Sequence, residues 1–281
     1  MTNMLLQVSA KDGSYLADRW IQGDHRCGRL LGHDRGTNSP VHIGITRPAT
    51  VRLEELSARL SYEVPGVSRC QFVGSVDPSS ELGNKIVVVE EMRGLHSLTQ
   101  QREHLDRRTR LHVVTQVAKT MLRASRQSVV LGGIHPDLVW MDDMGSDVTL
   151  TPRFPVLIAV REHRRSTGPG AWPFSDIGPF VDPMMLNLWF ATPAADAYQL
   201  GLLVSWIFAN RHPFAEVSSR RGNDWLTPMQ DDERDPFTGP PAIGRILDRL
   251  LVADPAKRMP IDEVAAALED AGPAVAEYAA P

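Results

Sequence analysis

Between Asp196 and Phe208 the apolar residues go all the way round a helical turn, so a helix formed there has no face for water and must be enclosed on every side. Such a helix needs a sizeable core around it. A chain of 281 residues can supply one, as a single large domain or as two lobes sharing a cleft. With 42% hydrophobic and 23% charged residues the composition is that of an ordinary globular protein. The net charge of -4 offers no electrostatic reason to expect nucleic acid or anionic lipid as a partner.

The segments before that helix change character at about residue 94. Residues 1–50 read as short strands and turns, with Val41 to Ile45 alternating as a half-buried strand would. Val51, Leu53, Leu56 and Leu60 recur at helical spacing from Thr50 to Tyr62, and Pro65-Gly66 closes that helix. Strand-like runs follow at Cys70–Val76 and Ile86–Val89. Beyond Gly94 the stripe Leu111, Val114, Val117, Met121, Leu122 predicts a long amphipathic helix ending near Gln127. Ile134 to Leu150 has hairpin character, turning at Asp143, Met144 and Gly145. Residues 152–190 lack periodicity and predict a long, functional loop. Two amphipathic helices, around Ile243–Leu251 and Ile261–Leu268, precede a frayed tail from Gly272 to Pro281. Strands first and helices after make the fold class α+β, with a seam at Glu90 to Gly94.

Several function classes find no support. Cys27 and Cys70, the two cysteines, lie far apart, so a structural disulfide is not expected and a reducing compartment is. No stretch is long and apolar enough to cross a bilayer, and no signal segment opens the chain, so the expectation is a cytoplasmic protein without membrane insertion. The nine histidines include no HExxH. His25, His33 and His42 cluster only on the N-terminal strands and are expected to be ordinary packing or surface residues, with no metal. No Ser-His-Asp elbow occurs. Basic clusters at Arg102, Arg107, Arg108 and Arg110, at Arg161, Arg164 and Arg165, and at Arg220 and Arg221 read as solvated faces. The sharper alternative is a docking surface for an acidic or phosphorylated partner.

Two late blocks carry a family resemblance. "ADAYQLGLLVSWIFANRHPF", from Ala195 to Phe214, and "LDRLLVADPAKRMPIDEVAAAL" resemble the buried central helix and the closing helices of protein kinases, in particular the bacterial Ser/Thr branch. The resemblance runs back, more weakly, through nearly the whole chain. "GDHRCGRLLGHDRGTNSPVHIG" is similar to the glycine-rich loop and the strand of the phosphate-binding lysine, with Gly23 and Gly28 as outer glycines. The resemblance implies a bilobal fold, with a small strand-rich N-lobe over residues 1–92 and a larger helical C-lobe over 93–281. It makes residues 152–190 the counterpart of the activation segment. It places Val89 at the back of the adenine pocket, Glu90 and Met92 in the hinge, and Glu55 where a helix glutamate would pair with the lysine. Asp196 becomes the aspartate that holds the catalytic-loop backbone, and Arg258 the structural arginine.

At the chemical positions the resemblance fails. The lysine position holds Gly44. The catalytic-loop triplet reads Leu131, Gly132, Gly133, so Gly133 stands where the proton-accepting carboxylate would be. Leu138 replaces the metal-binding asparagine, and Pro152, opening Pro152-Arg153-Phe154, replaces the metal-binding aspartate. Phosphoryl transfer depends on neutralising charge around an in-line displacement. A frame without cation, metal ligands or base implies a catalytically inactive homologue, a pseudokinase that binds no cofactor in its vestigial cleft. It would act as a signalling scaffold or allosteric regulator, and its partner would be an active kinase, a phosphopeptide-reading domain or other regions of its own chain. Trp172, Phe174 and Phe180 are candidates for the partner surface, and Ser166 and Thr167 for phosphorylation. With Met184 in place of its acidic partner, Arg258 must pair with another acid such as Asp182 or stay partly solvated. Two alternatives stand beside this one. A divergent transferase could use Arg26 or Arg29 for phosphates and Asp137, Asp142 or Asp143 for a metal, and a sensor could hold a small ligand in the degenerate cleft.

Overall fold

A computed structural model describes residues 6–10, 13–23, 28–46, 63–75, 85–94, 96–131, 134–142, 145–151, 182, 192–216 and 233–278. The protein is mixed α+β and divides into two compact units. The first comprises the described residues of Met1–Glu63, Ser68–Arg93 and Thr151–Asp176; the second comprises Val64–Val67, Gly94–Leu150 and the described residues of Ile177–Pro281. The first unit runs to Arg93, with Val64–Val67 grouped with the later residues and Thr151, from the stretch the sequence assigned to the later lobe, grouped with the earlier ones.

The first unit is an antiparallel sheet of β1 (Leu6–Ala10), β2 (Gly13–Gly23), β3 (Gly28–Asp34), β4 (Pro40–Thr46), β5 (Cys70–Ser75) and β6 (Ile86–Glu91), in the order β1-β2-β3-β4-β6-β5. Asp34 makes the turn between β3 and β4. Its carboxylate accepts from the backbone N–H groups of Gly36 (2.7 Å) and Thr37 (3.0 Å), which hold its pKa below the ordinary value, and Asn38 takes the left-handed conformation (φ 57°). One face buries Tyr15, Ala17, Leu30, Val41, Ile43, Ile45, Val87 and Val89, with Phe72 against them. Alternation then puts His42 and Gly44 on the opposite face. The half-buried strand expected over Val41–Ile45 is buried throughout. Residue alternation reports which side a residue faces, not whether something covers that side.

In the second unit β7 (His96–Ser97), β8 (Val139–Met141) and β9 (Val148–Leu150) form a small sheet, with Gly145 (φ 66°) in the turn between β8 and β9. The helices among the described residues are α1 (Leu98–Gln101), α2 (Arg107–Arg126), α3 (Pro193–Ala209), α4 (Pro241–Leu250), α5 (Ile261–Asp270) and α6 (Gly272–Glu277). Asp106 caps α2 by accepting from Thr109 N (2.7 Å), and the buried stripe of α2 is Val113, Val114, Val117, Ala118, Met121 and Ala124. Thr192 caps α3, accepting from Ala195 N (3.1 Å), and Asn210 ends it at φ 62°. Every residue of α3 from Ala195 to Ile207 is buried. A side chain at Gly201 would press into Leu250 and Leu251, so this glycine lets α3 approach that end of α4 closely.

Val64–Val67 is a Pro-Gly turn. Val67 N donates to Val64 O (2.9 Å), Gly66 sits at φ 90°, and Leu150 N donates to Gly66 O (2.8 Å) beside β9. The tail beginning at Gly272 is not frayed where described. It forms α6 with Val275 fully buried, and the Arg107 guanidinium donates to the Tyr278 carbonyl and lies 5.1 Å from the Tyr278 ring. Small residues suit close docking as well as disorder, and the docked helix has a partner that composition does not show. The helix expected over Thr50–Tyr62, with Glu55, lies outside the described residues, as does the loop of 152–190 apart from Asp182. No helix among the described residues is long and apolar enough to cross a membrane.

Candidate functional site

The buried helix α3 carries two polar side chains three residues apart, Asp196 and Gln199, which therefore share a face. Asp196 Oδ2 accepts from the Leu131 backbone N–H (2.8 Å) and Gln199 Oε1 accepts from that of Ile134 (2.9 Å). Asp196 sits in the first turn, where a carboxylate also complements the helix dipole. The chain continues from Ile134 into a tight 3₁₀ turn, Pro136–Leu138. There His135 Nδ1 accepts from Asp137 N (3.2 Å), Asp137 Oδ2 lies 3.3 Å from the same nitrogen, and Leu138 N donates to His135 O (2.8 Å). Leu138, at the position the resemblance gives to a metal ligand, is 1% exposed and packs as core.

A buried ion pair lies elsewhere in the same unit. Arg258 Nη1 and Nη2 donate to Asp182 Oδ2 (2.5 Å) and Oδ1 (3.3 Å), the two side chains being 2% and 1% exposed. Arg258 also donates to the carbonyls of Val252 (2.7 Å), Ala194 (3.1 Å) and Ala253 (3.2 Å), and its guanidinium stands 4.6 Å from the Tyr198 ring. All three guanidinium nitrogens are thus satisfied.

Within the first unit the sheet assembles the other positions. Gly23 pairs with Gly28 across β2 and β3. Gly44 lies on β4 between Arg29 and Val88, with Ile43 opposite Val89 and His42 opposite Glu90. Met92 N donates to Pro40 O (3.4 Å). Gly44, at the position the resemblance gives to a lysine, therefore contributes no side chain to its sheet face. Glu90 is 1% exposed and pairs in register with Cys70, whose thiol is pushed up to about 12, first by burial and then by that carboxylate.

The arginines at 102, 107 and 110 are not a solvated face. Arg110 donates to the carbonyls of Leu105 (2.9 Å), Arg102 (3.1 Å) and Ile207 (3.2 Å); Arg102 is buried, donates to Asn210 Oδ1 and lies 4.8 Å from the Trp206 ring. Burial, and then a neighbouring guanidinium, lower the pKa of Arg102 and of Arg110. They bind the carboxyl end of α3, where the helix dipole is negative. Arg108 alone of the four is exposed.

Asp142 is a turn former. It accepts from Ser146 N (2.7 Å) and Ser146 Oγ (2.5 Å), the hydroxyl being the largest cause of its lowered pKa. His33 stands 3.2 Å from Asp18. No group of three His, Cys, Asp or Glu close enough to hold a metal ion occurs among the described residues. Gly133, Pro152, Glu55, Trp172, Phe174, Phe180, Ser166, Thr167, Met184, Arg26 and Asp143 fall outside the described residues. Gln199 was not singled out from the sequence; the signal for it is a lone amide three residues after Asp196 in an otherwise apolar stretch. No family model matches this chain, and no curated protein is significantly similar to it.

Proposed function

We propose that this chain is a protein kinase-like protein of the bacterial Ser/Thr branch that has lost phosphoryl transfer, a pseudokinase working as a signalling scaffold or allosteric regulator. The observation that carries the reading is a contrast inside one segment. Asp196 still binds the Leu131 backbone, the contact that would place a catalytic loop, while seven residues on Leu138 offers a metal nothing but methyl groups. Gly44 makes the same point in the first unit, where that position of β4 brings no cation to stand against phosphates. A strand-built first unit and a helical second unit suit a bilobal fold with a small N-lobe. Positioning and charge neutralisation supply nearly all of the catalysis of phosphoryl transfer, so a frame without them is suited to binding. The partner is another protein: an active kinase, a phosphopeptide-reading domain or other regions of its own chain.

A thermal-shift titration with ATP, with and without Mg²⁺ or Mn²⁺, tests the proposal. Ligand at about 100 times its Kd adds about 2.7 kcal/mol to stability, which moves a melting point by several degrees. No shift at millimolar ATP is expected. A clear metal-dependent rise refutes the inactive reading and favours the transferase.

A further inference from the structure

We infer that Asp196 and Gln199 act as a two-point clamp that turns Leu131 and the Ile134–Leu138 turn into a fixed internal strut, with Gln199 the positioning residue for the turn. A helix enclosed on every side is a costly place for a carboxylate and an amide; each group loses its water and needs a compensating hydrogen bond. Here both find backbone N–H groups, at 2.8 and 2.9 Å, and those donors in turn are buried and need acceptors. One carboxylate would be enough to hold Leu131. The second acceptor reaches Ile134, where the tight turn begins, and fixes the entry of a segment whose Ile134, His135, Pro136 and Leu138 are all buried. The two contacts leave from one face of one rigid helix, so the spacing of Leu131 and Ile134 is set by α3. The strut leads directly into β8, which begins at Val139, and so ties the small sheet to the position of α3.

The clamp rests on the pseudokinase reading only in standing where a catalytic loop would be; its own test needs no nucleotide and stands apart from the ATP titration. Amide hydrogen exchange of the whole chain, resolved by NMR, compares the protein with Gln199→Leu and Gln199→Glu. Loss of one buried acceptor should speed exchange at Ile134 about 10- to 100-fold. Leu131 and the α3 amides Leu200–Leu203 should keep their protection, and Gln199→Glu, which retains an acceptor oxygen, should restore most of it. Equal acceleration at all these amides means a general loss of stability and overturns the clamp, as does an unchanged Ile134. If Gln199→Leu does not fold, exchange in the unsubstituted protein under mild denaturant decides. Ile134 opening separately from α3 supports a local anchor, and Ile134 opening only with α3 overturns it.

Discussion

Replacing either partner of the Arg258–Asp182 pair should destabilise the protein, and the two replacements should not cost the same. Arg258→Met removes both bonds to a carboxylate that is 1% exposed, and it also removes the bonds that Arg258 donates to the carbonyls of Val252, Ala194 and Ala253. Breaking a buried pair from one side costs about 3–5 kcal/mol because a charge is left uncompensated, and the loss of three further bonds puts Arg258→Met toward the top of that range. Asp182→Asn keeps an acceptor oxygen and leaves Arg258 its three carbonyls and the Tyr198 ring, so about 2–3 kcal/mol is expected, the loss of a charge-assisted bond. Arg258→Met combined with Asp182→Leu should recover part of the loss of Arg258→Met alone, since no unpaired charge then remains. Urea unfolding followed by both tryptophan fluorescence and far-UV circular dichroism measures these values, with coincident transitions required before midpoints are compared. If Asp182→Asn proves as costly as Arg258→Met, the carbonyl bonds do not carry the weight assigned to them; if the double variant is less stable than Arg258→Met alone, the unpaired charge is not the source of the loss.

At Gly66, φ is 90° and a Cβ would collide with the Thr120 hydroxyl, so Gly66→Ala should cost about 2–3 kcal/mol in the same unfolding assay, and a loss below 0.5 kcal/mol refutes that packing. The Cys70 thiol, raised to about 12, should resist iodoacetamide at pH 8 in the native protein while reacting in urea; site-resolved mass spectrometry showing native labelling at a free-cysteine rate would contradict it. The carboxyls of Asp34, Asp106 and Asp142 are all held below their ordinary 3.8, chiefly by backbone bonds in the first two and by the Ser146 hydroxyl in the third. Lowered folded pKa values mean a contribution that is complete above 3.8 and lost as pH falls through the folded values. Melting temperature should drop below about pH 4, and Asp106→Asn should flatten that drop; an unchanged acid profile argues against the helix cap.

The local pattern was readable wherever one residue's neighbours along the chain decide its environment. The stripe from Leu111 to Leu122 stands within α2, the turn at Gly145 lies between β8 and β9, and the all-round apolar stretch after Asp196 is the enclosed helix. The sequence left Arg258 two outcomes, an acid such as Asp182 or partial solvation, because a guanidinium cannot shed its charge to survive burial. The fold chose between them: packing across 76 residues brings Asp182 onto Arg258.

Tertiary structure alone decided the rest. Arg102 and Arg110 looked like a solvated basic face because composition records charge and not direction; the end of α3, 97 residues from Arg110 at Ile207, turns them inward. His42 was open to either a packing or a surface place in the sequence, and the fold buries it fully. The sequence by itself determined that positions 44 and 138 bring no ionisable group in any conformation, since they are Gly44 and Leu138. What Asp196 and Gln199 hold was settled by folding, because a hydrogen bond across 65 residues exists only once the chain has brought its two ends together.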